Sequence, residues 1–366
     1  MRDSAGLDRL RLSSMPLTMN YDHPNRRSFA AASALSLASF AVPVLWAQPR
    51  LEKTRILIAA ADKATFYGLP LTIAEQLGFF KAEGLEVEVV DFAGGDQAVQ
   101  AVSSGAADVV SGAFERTISL QLKGQKFQAF VLQGRAPAIS MGVALKTMPN
   151  YKTAWDLKGK RIGISETGAP SHLMANLILS RAGLTSGDVS FVPVGTASGA
   201  LLAWRSGQID AISNVDPVMT MLEQKSDIRL IADTRTLKGA IDVFDGPMPA
   251  GCLFAPLEFV QKNPNTVQAL TNAMTHSLKW LQTAGPSDII KTVPEVYLLG
   301  DRALYLAAFD KVREAISPDG MMADEGPRIA LNALARIDPS LKGRPIELGK
   351  TYTNEFSKRA KERFKA

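Results

Sequence analysis

Two short stretches, VSSGAAD at residues 102–108 and WRSGQID at residues 204–210, decide the fold. In each, a helical pattern runs into a glycine (Gly105, Gly207), and an aspartate (Asp108, Asp210) stands at the foot of an apolar run. A glycine at the end of a helix takes the left-handed conformation that closes the last turn, and here a strand has to start at once. Working outward, the same order of elements precedes both stretches. Residues 56–60, 87–90 and 107–110 are strand-like runs separated by helical patterns over 69–80 and 96–104. A helix over 114–122 and a strand over 127–132 close the first series. After Met148-Pro149-Asn150 a second series begins, with strands expected at 161–164, 189–194, 209–212 and 228–231 and helices at 171–182 and 199–206. A weak internal repeat of this kind means that one supersecondary plan is used twice. Short strands alternating with helices give βαβ units and a mainly parallel sheet in each half. After Pro249 come a short run at Leu253-Phe254 and then long helical patterns over 264–283, 302–317 and 325–337.

Length and composition agree with two α/β lobes. A chain of 366 residues is too long for one typical core. With 46% hydrophobic and 21% charged residues it is ordinary globular material. The net charge of +5 is spread along the chain without a basic stripe, which speaks against nucleic acid as a partner. The single cysteine, Cys252, excludes an intramolecular disulfide and a cysteine-cluster metal site. The three histidines lack metal-ligand spacing. No cofactor is expected. At the N-terminus, Asn25-Arg26-Arg27-Ser28-Phe29 precedes an apolar run over 30–46 that Pro43 interrupts. This pattern is that of a twin-arginine secretory signal over residues 1–47, cut near Ala47-Gln48, with Met15 and Met19 as alternative starts. Its removal leaves a net charge near +3 on an exported, periplasmic protein.

Ligands in open α/β sheets sit beyond the carboxyl ends of the strands. That rule selects five loops, over residues 63–67, 93–96, 112–115, 165–172 and 213–217. The central loop, in GISETGAPSHLMANLILSRAGL (residues 163–184), contains Ser171 and His172 side by side. Adjacent residues at a helix start point in different directions, and no Gly-x-Ser-x-Gly elbow occurs, so a catalytic Ser–His pair is not supported. The loop fits an anion cradle better. Pro170 near the helix start loses no hydrogen bond, Gly168 and Ala169 let the backbone come close, and Thr167 and Ser171 offer hydroxyls beside free first-turn N–H groups. Gly94-Gly95, Gly112 with Phe114, and Thr196 ahead of Ser198-Gly199 have the same character. The simpler alternative is a capped helix with Ser171 as N-cap. Glu115 and Asp216 follow strands on the same side and suit an amine or a ring N–H. Equally, Asp216 caps a helix begun by Pro217 and Glu115 pairs with an arginine. Thr65, Phe66, Tyr67 and Phe114 are candidates to contact an organic ligand, with Asn214 beside Asp216. Arg116 and Arg135 are candidate clamps, although exposure is the commoner fate of such residues.

Several of these segments resemble a known family. Tyr67-Gly68-Leu69-Pro70-Leu71 and AEQLGFFKAEGLEV (residues 74–87) are similar to the opening of solute-binding proteins of the nitrate/sulfonate/taurine class of ABC importers, where an A-x-x-x-G-F-F-x-x-E-G-L-x-V signature follows the first strand. The resemblance continues through Gly94-Gly95, Ser104-Gly105-Ala106-Ala107-Asp108, Asp156-Leu157-Lys158-Gly159-Lys160-Arg161-Ile162-Gly163, Gly207-Gln208-Ile209-Asp210-Ala211 and Asp216-Pro217. It is good over roughly residues 55–254 and loose beyond. It implies a two-lobed periplasmic-binding-protein fold of type II, with two mainly parallel sheets flanked by helices and a ligand cleft between the lobes. The chain would cross between lobes near 146–150 and 242–251, so that residues 53–146 and 250–366 form lobe 1 and 147–249 form lobe 2. The implied partners are a small polar solute (a sulfonate, taurine, nitrate or related organic anion) and a membrane permease with its ATPase. A monomer without enzymatic activity is expected. One branch of the family makes the thiamine pyrimidine, which leaves a pyrimidine-binding protein or a synthase-like enzyme as the alternative.

Overall fold

The computed structural model describes residues 50–366 except 62 and 342, and the secretory leader expected at 1–47 lies outside the described residues. The first series runs β1 (Arg55–Ala61), α1 (Leu69–Gln76), α2 (Phe79–Ala82), β2 (Glu86–Phe92), α3 (Gly95–Ser103), β3 (Val109–Ala113), α4 (Glu115–Leu122) and β4 (Phe127–Leu132). The second runs β5 (Ile139–Ala144), β6 (Arg161–Ile164), α5 (Pro170–Arg181), β7 (Ser190–Pro193), α6 (Ser198–Arg205), β8 (Ala211–Val215), α7 (Val218–Gln224), β9 (Ile228–Asp233) and α8 (Leu237–Phe244). Then come β10 (Gly251–Pro256), α9 (Leu257–Lys262) and α10 (Pro264–Thr283). The last helices are α11 (Pro286–Thr292), α12 (Arg302–Val312), α13 (Gly326–Ile337) and α14 (Glu355–Phe364). Gly105 and Gly207, the glycines of the two echoed stretches, have φ of 80° and 70°, the left-handed conformation that ends α3 and α6.

The repeat is carried into the topology. One sheet has the order β2-β1-β3-β10-β4 and the other β7-β6-β8-β5-β9. In each, the first three strands are parallel, and the fourth is antiparallel to both of its neighbours. The sheets are therefore mixed, with one antiparallel strand each. That strand comes from the far end of a lobe crossing: Cys252 of β10 pairs with Gly112, and Ile139 of β5 pairs with Val215.

Two boundaries differ from expectation. The family resemblance puts the first crossing near 146–150, yet β5 already belongs to the second sheet, so the chain leaves the first sheet between Leu132 and Ile139. β5 reads ISMGVA and is buried throughout, so it lacks the polar alternation that marks a strand in sequence. The C-terminal section is also not confined to one lobe. Helix α13 packs on α5 of the second lobe and on α4 of the first. Its buried Ile329, Ala330 and Ala333 join one cluster with Leu173 and Leu177 of the second lobe and with Phe114 and Phe254 of the first. Small alanines on that face let three helices approach closely. Among the described residues, no helix is long and apolar enough to cross a membrane.

Candidate ligand cleft

Strand ends from both lobes meet at one pocket of about 40 Å³. Ala61 (β1), Gly112 and Ala113 (β3), Ser165 (after β6) and Val215 (β8) line it, and Ile139, the first residue of β5, closes the far side. This is the position that parallel strands leave for a ligand, opened twice and set face to face. On the scale of about 10–15 Å³ for one water, the space holds roughly three waters or one small head group. Around this floor lie helix beginnings: Thr65 and Tyr67 before α1, Gly95 at the start of α3, Thr196 before α6, and Ala169, Pro170 and Ser171 at the start of α5. Helix N-termini carry unpaired N–H groups and a partial positive charge, so their convergence favours an anion.

The loop before α5 owes its shape to serines. The Ser171 hydroxyl accepts the Ser165 N–H at 3.1 Å and shares a hydrogen bond of 2.7 Å with the Ser165 hydroxyl. Ser213 in turn donates to the Ser171 carbonyl at 2.8 Å. Ser171 therefore staples the loop and does not cap the helix, since the N-cap is Ala169 and Pro170 fills the first position. Across the cleft stand two charged side chains. The Glu166 carboxylate accepts the Gly95 N–H at 3.1 Å and lies 3.4 Å from the Arg116 guanidinium. Arg116 also pairs closely with Asp96. Glu166, Arg116 and Gly95 all line the pocket.

Nine of the residues singled out from sequence thus line one pocket: Thr65, Tyr67, Gly95, Gly112, Arg116, Ala169, Pro170, Ser171 and Thr196. Gly94 is its immediate neighbour, because a Cβ there would overlap the Glu166 carboxylate. The others lie elsewhere. Phe66 is buried against Tyr305 and Phe309, with ring centroids 4.7 and 6.1 Å away. Phe114, fully buried, belongs to the hydrophobic core. Thr167 is exposed and does not line the pocket. Gly168, Glu115 and His172 face a separate cavity of about 460 Å³ on the far side of Arg116, together with Lys123 and Arg344. There the Gly168 N–H donates to His172 Nδ1 at 3.0 Å, and Phe191 meets the imidazole edge-on. Burial lowers the pKa of His172 and raises that of Glu115, the latter against its own backbone N–H and the nearby Arg116 charge.

Asn214 and Asp216 are occupied by structural bonds. Asn214 donates to the Gly195 carbonyl at 2.9 Å and accepts the Val215 N–H at 2.8 Å, which fixes the turn before α6. Asp216, 1% exposed, accepts the Thr220 N–H at 2.7 Å and faces Arg235 at 3.3 Å. It caps α7 and balances a buried arginine, so it is not available to an amine in the cleft. Arg135, a candidate clamp, instead donates to the Glu314 carbonyl at 2.9 Å. Nucleophilic chemistry finds no support either. The Ser171 hydroxyl bonds Ser165, not His172. The Cys252 thiol is sealed in the sheet, 3.7 Å from the Gly112 carbonyl, and burial pushes its pKa up, away from the thiolate. Among the described residues, no group of His, Cys, Asp and Glu is placed to hold a metal.

Sequence reasoning missed Glu166, Ser165, Ile139 and Val215 as lining residues. Glu166 stood inside the selected loop, but its partners Gly95 and Arg116 come from the other lobe. Ile139 and Val215 face the pocket through the unrecognised β5 and its pairing with β8.

Comparison with known proteins agrees with this architecture. A family model described as NMT1/THI5 like matches residues 65–286. Among curated proteins, YtlA of Bacillus subtilis, named as a binding protein, is 22% identical over 74% of this chain and 80% of its own length. A more distant relative from Schizosaccharomyces pombe, named 4-amino-5-hydroxymethyl-2-methylpyrimidine phosphate synthase, is 23% identical over 58% of this chain and 61% of its own. Among solved structures, a protein from Bordetella bronchiseptica RB50 is 53% identical, covers 87% of this chain and all (100%) of its own, and superposes with a TM-score of 0.83. The alkanesulfonate-binding protein SsuA from Xanthomonas axonopodis pv. citri, solved with MOPS bound, is 19% identical over 83% of this chain and 100% of its own, with a TM-score of 0.65. That last likeness is one of fold, and the fold is the two-lobed one of periplasmic binding proteins. The chain belongs to the NMT1/THI5-like family.

Proposed function

We propose that the chain is the solute-binding component of an ABC importer. It captures a small polar solute (a sulfonate, taurine, nitrate or a related organic anion) and delivers it to a membrane permease driven by an ATPase. The observation that carries this reading is the convergence of helix N-termini and strand ends from both lobes on one small pocket, with Arg116 at its wall. Such a site binds through preorganised donors and performs no chemistry. The crossings between the lobes supply the hinge on which closure would report occupancy to the transporter. The protein acts as a monomer in the periplasm, after export by the twin-arginine route. The thiamine-pyrimidine alternative draws on the synthase relative, but the sealed Cys252 gives it no nucleophile.

The test is calorimetric titration of the purified protein with methanesulfonate, taurine, nitrate and an aminopyrimidine. Binding of at least one anion is expected, weakened about tenfold by Arg116→Gln, which removes a charged donor. Binding of the pyrimidine alone, or its conversion to a product, would overturn the proposal.

A further inference from the structure

We propose that the Glu166 carboxylate is a tethered anion that bridges the cleft, holds the two lobes together at the Gly95 N–H and Arg116, and is displaced by the anionic group of an incoming solute. This rests, in its second half, on the solute-capture reading above. Glu166 follows β6 in the second lobe, whereas Gly95 and Arg116 belong to α3 and α4 of the first, 71 and 50 residues away in sequence. The contact is therefore a tie between lobes.

Four observations bear on its exchangeability. First, Glu166, Gly95 and Arg116 line the same pocket, so a solute anion reaching that end meets the donors that Glu166 now holds. Second, the tie is loose. One N–H at 3.1 Å and a guanidinium nitrogen at 3.4 Å are longer than the roughly 2.7–2.9 Å of a strong charge-assisted bond. The Glu166 side chain is 28% exposed and can turn into solvent. Third, two consecutive glycines make the room: a Cβ at Gly94 would overlap the Glu166 carboxylate, and one at Gly95 would overlap the Arg116 guanidinium. Fourth, the charge is already balanced. Arg116 is shared between Glu166 and Asp96, and the Asp96 side chain, 83% exposed, holds it from outside the pocket. A second anion cannot settle beside Glu166 without like-charge repulsion, so it has to replace that carboxylate.

The experiment compares the full-length protein with Glu166→Gln and Glu166→Ala, changes at a partly exposed position that leave the core intact. Small-angle scattering without added solute is expected to give a larger radius of gyration for Glu166→Ala than for the parent. An identical value would overturn the bridging role. Titration with methanesulfonate and with nitrate is expected to show roughly fivefold tighter binding for both variants, because a competing state is removed. Unchanged or weaker binding would overturn displacement and make Glu166 idle or a solute contact. If no anion binds any of the three proteins, the solute-capture reading and the displacement step fail together, while scattering still decides whether Glu166 ties the lobes.

Discussion

Glu115 and Asp216 occupy matching places in the two halves of the repeat, and their fates differ. Each follows the last residues of the third strand of its sheet, and each is buried, at 6% and 1% exposure. Asp216 has a full set of partners: Arg235, which also binds Asp233 and Glu223, and the Thr220 N–H. Glu115 has its own backbone N–H and the charge of an Arg116 already engaged with Asp96. The cause is where the helix starts. In the second lobe Pro217 sits between Asp216 and α7, so the side chain reaches back over the first turn to a free N–H. In the first lobe α4 begins at Glu115 itself, and the one first-turn donor its side chain meets is its own backbone N–H. Two residues of helix offset separate a buried acid that has an arginine and a first-turn N–H from one with fewer partners, although burial raises the pKa of both.

The comparison is open to attack by substitution, the largest effect first. Arg235→Ala leaves Asp216, Asp233 and Glu223 without their shared cation, so a loss of about 3–5 kcal/mol is expected in chemical denaturation. A loss below about 1 kcal/mol would show that the network is not what satisfies Asp216. Glu115→Gln is expected to act in the other direction, raising Tm at neutral pH by roughly 2 °C, or about 1 kcal/mol. The sign follows from burial. A carboxyl whose pKa is raised in the folded state favours folding while protonated and opposes it once charged. The advantage of the glutamine should therefore shrink as pH falls from neutral toward the ordinary glutamate range and be gone below it, and calorimetry at several pH values checks it. An advantage that persisted in acid would point to packing. As the small-effect reference, Lys238→Ala removes an exposed i,i+4 pair with Asp242, and a Tm change below about 1 °C is expected.

Much of the architecture was legible from local signals. Gly105 and Gly207 announced the repeat because only a left-handed cap followed at once by a strand needs glycine there. The loops around the cleft followed from parallel strands alone. Which residue of a loop faces the cleft was not legible, because it turns on where each helix starts. Ser171 looked like a cap until Ala169 took that place, and Asp216 looked like a ligand contact until Pro217 set α7 behind it. β5 was hidden because a strand buried on both faces shows no alternation, and with it went Ile139, which lines the cleft. Glu166 was hidden for a different reason. Its partners lie in the other lobe, and no periodicity within its own loop could point to them.

The position of β10 in the middle of the first sheet has a consequence for how the chain is made. β3 and β4 do not pair with each other. Each pairs with β10, and Gly112 waits for Cys252, 140 residues later. The second sheet, by contrast, takes all five of its strands from residues 139–233. As the chain emerges from the ribosome, the second lobe can therefore finish its sheet first, while the first lobe carries an open gap between two strand edges. Until β10 arrives, those edges are the part of the newborn protein most in need of shielding from other chains.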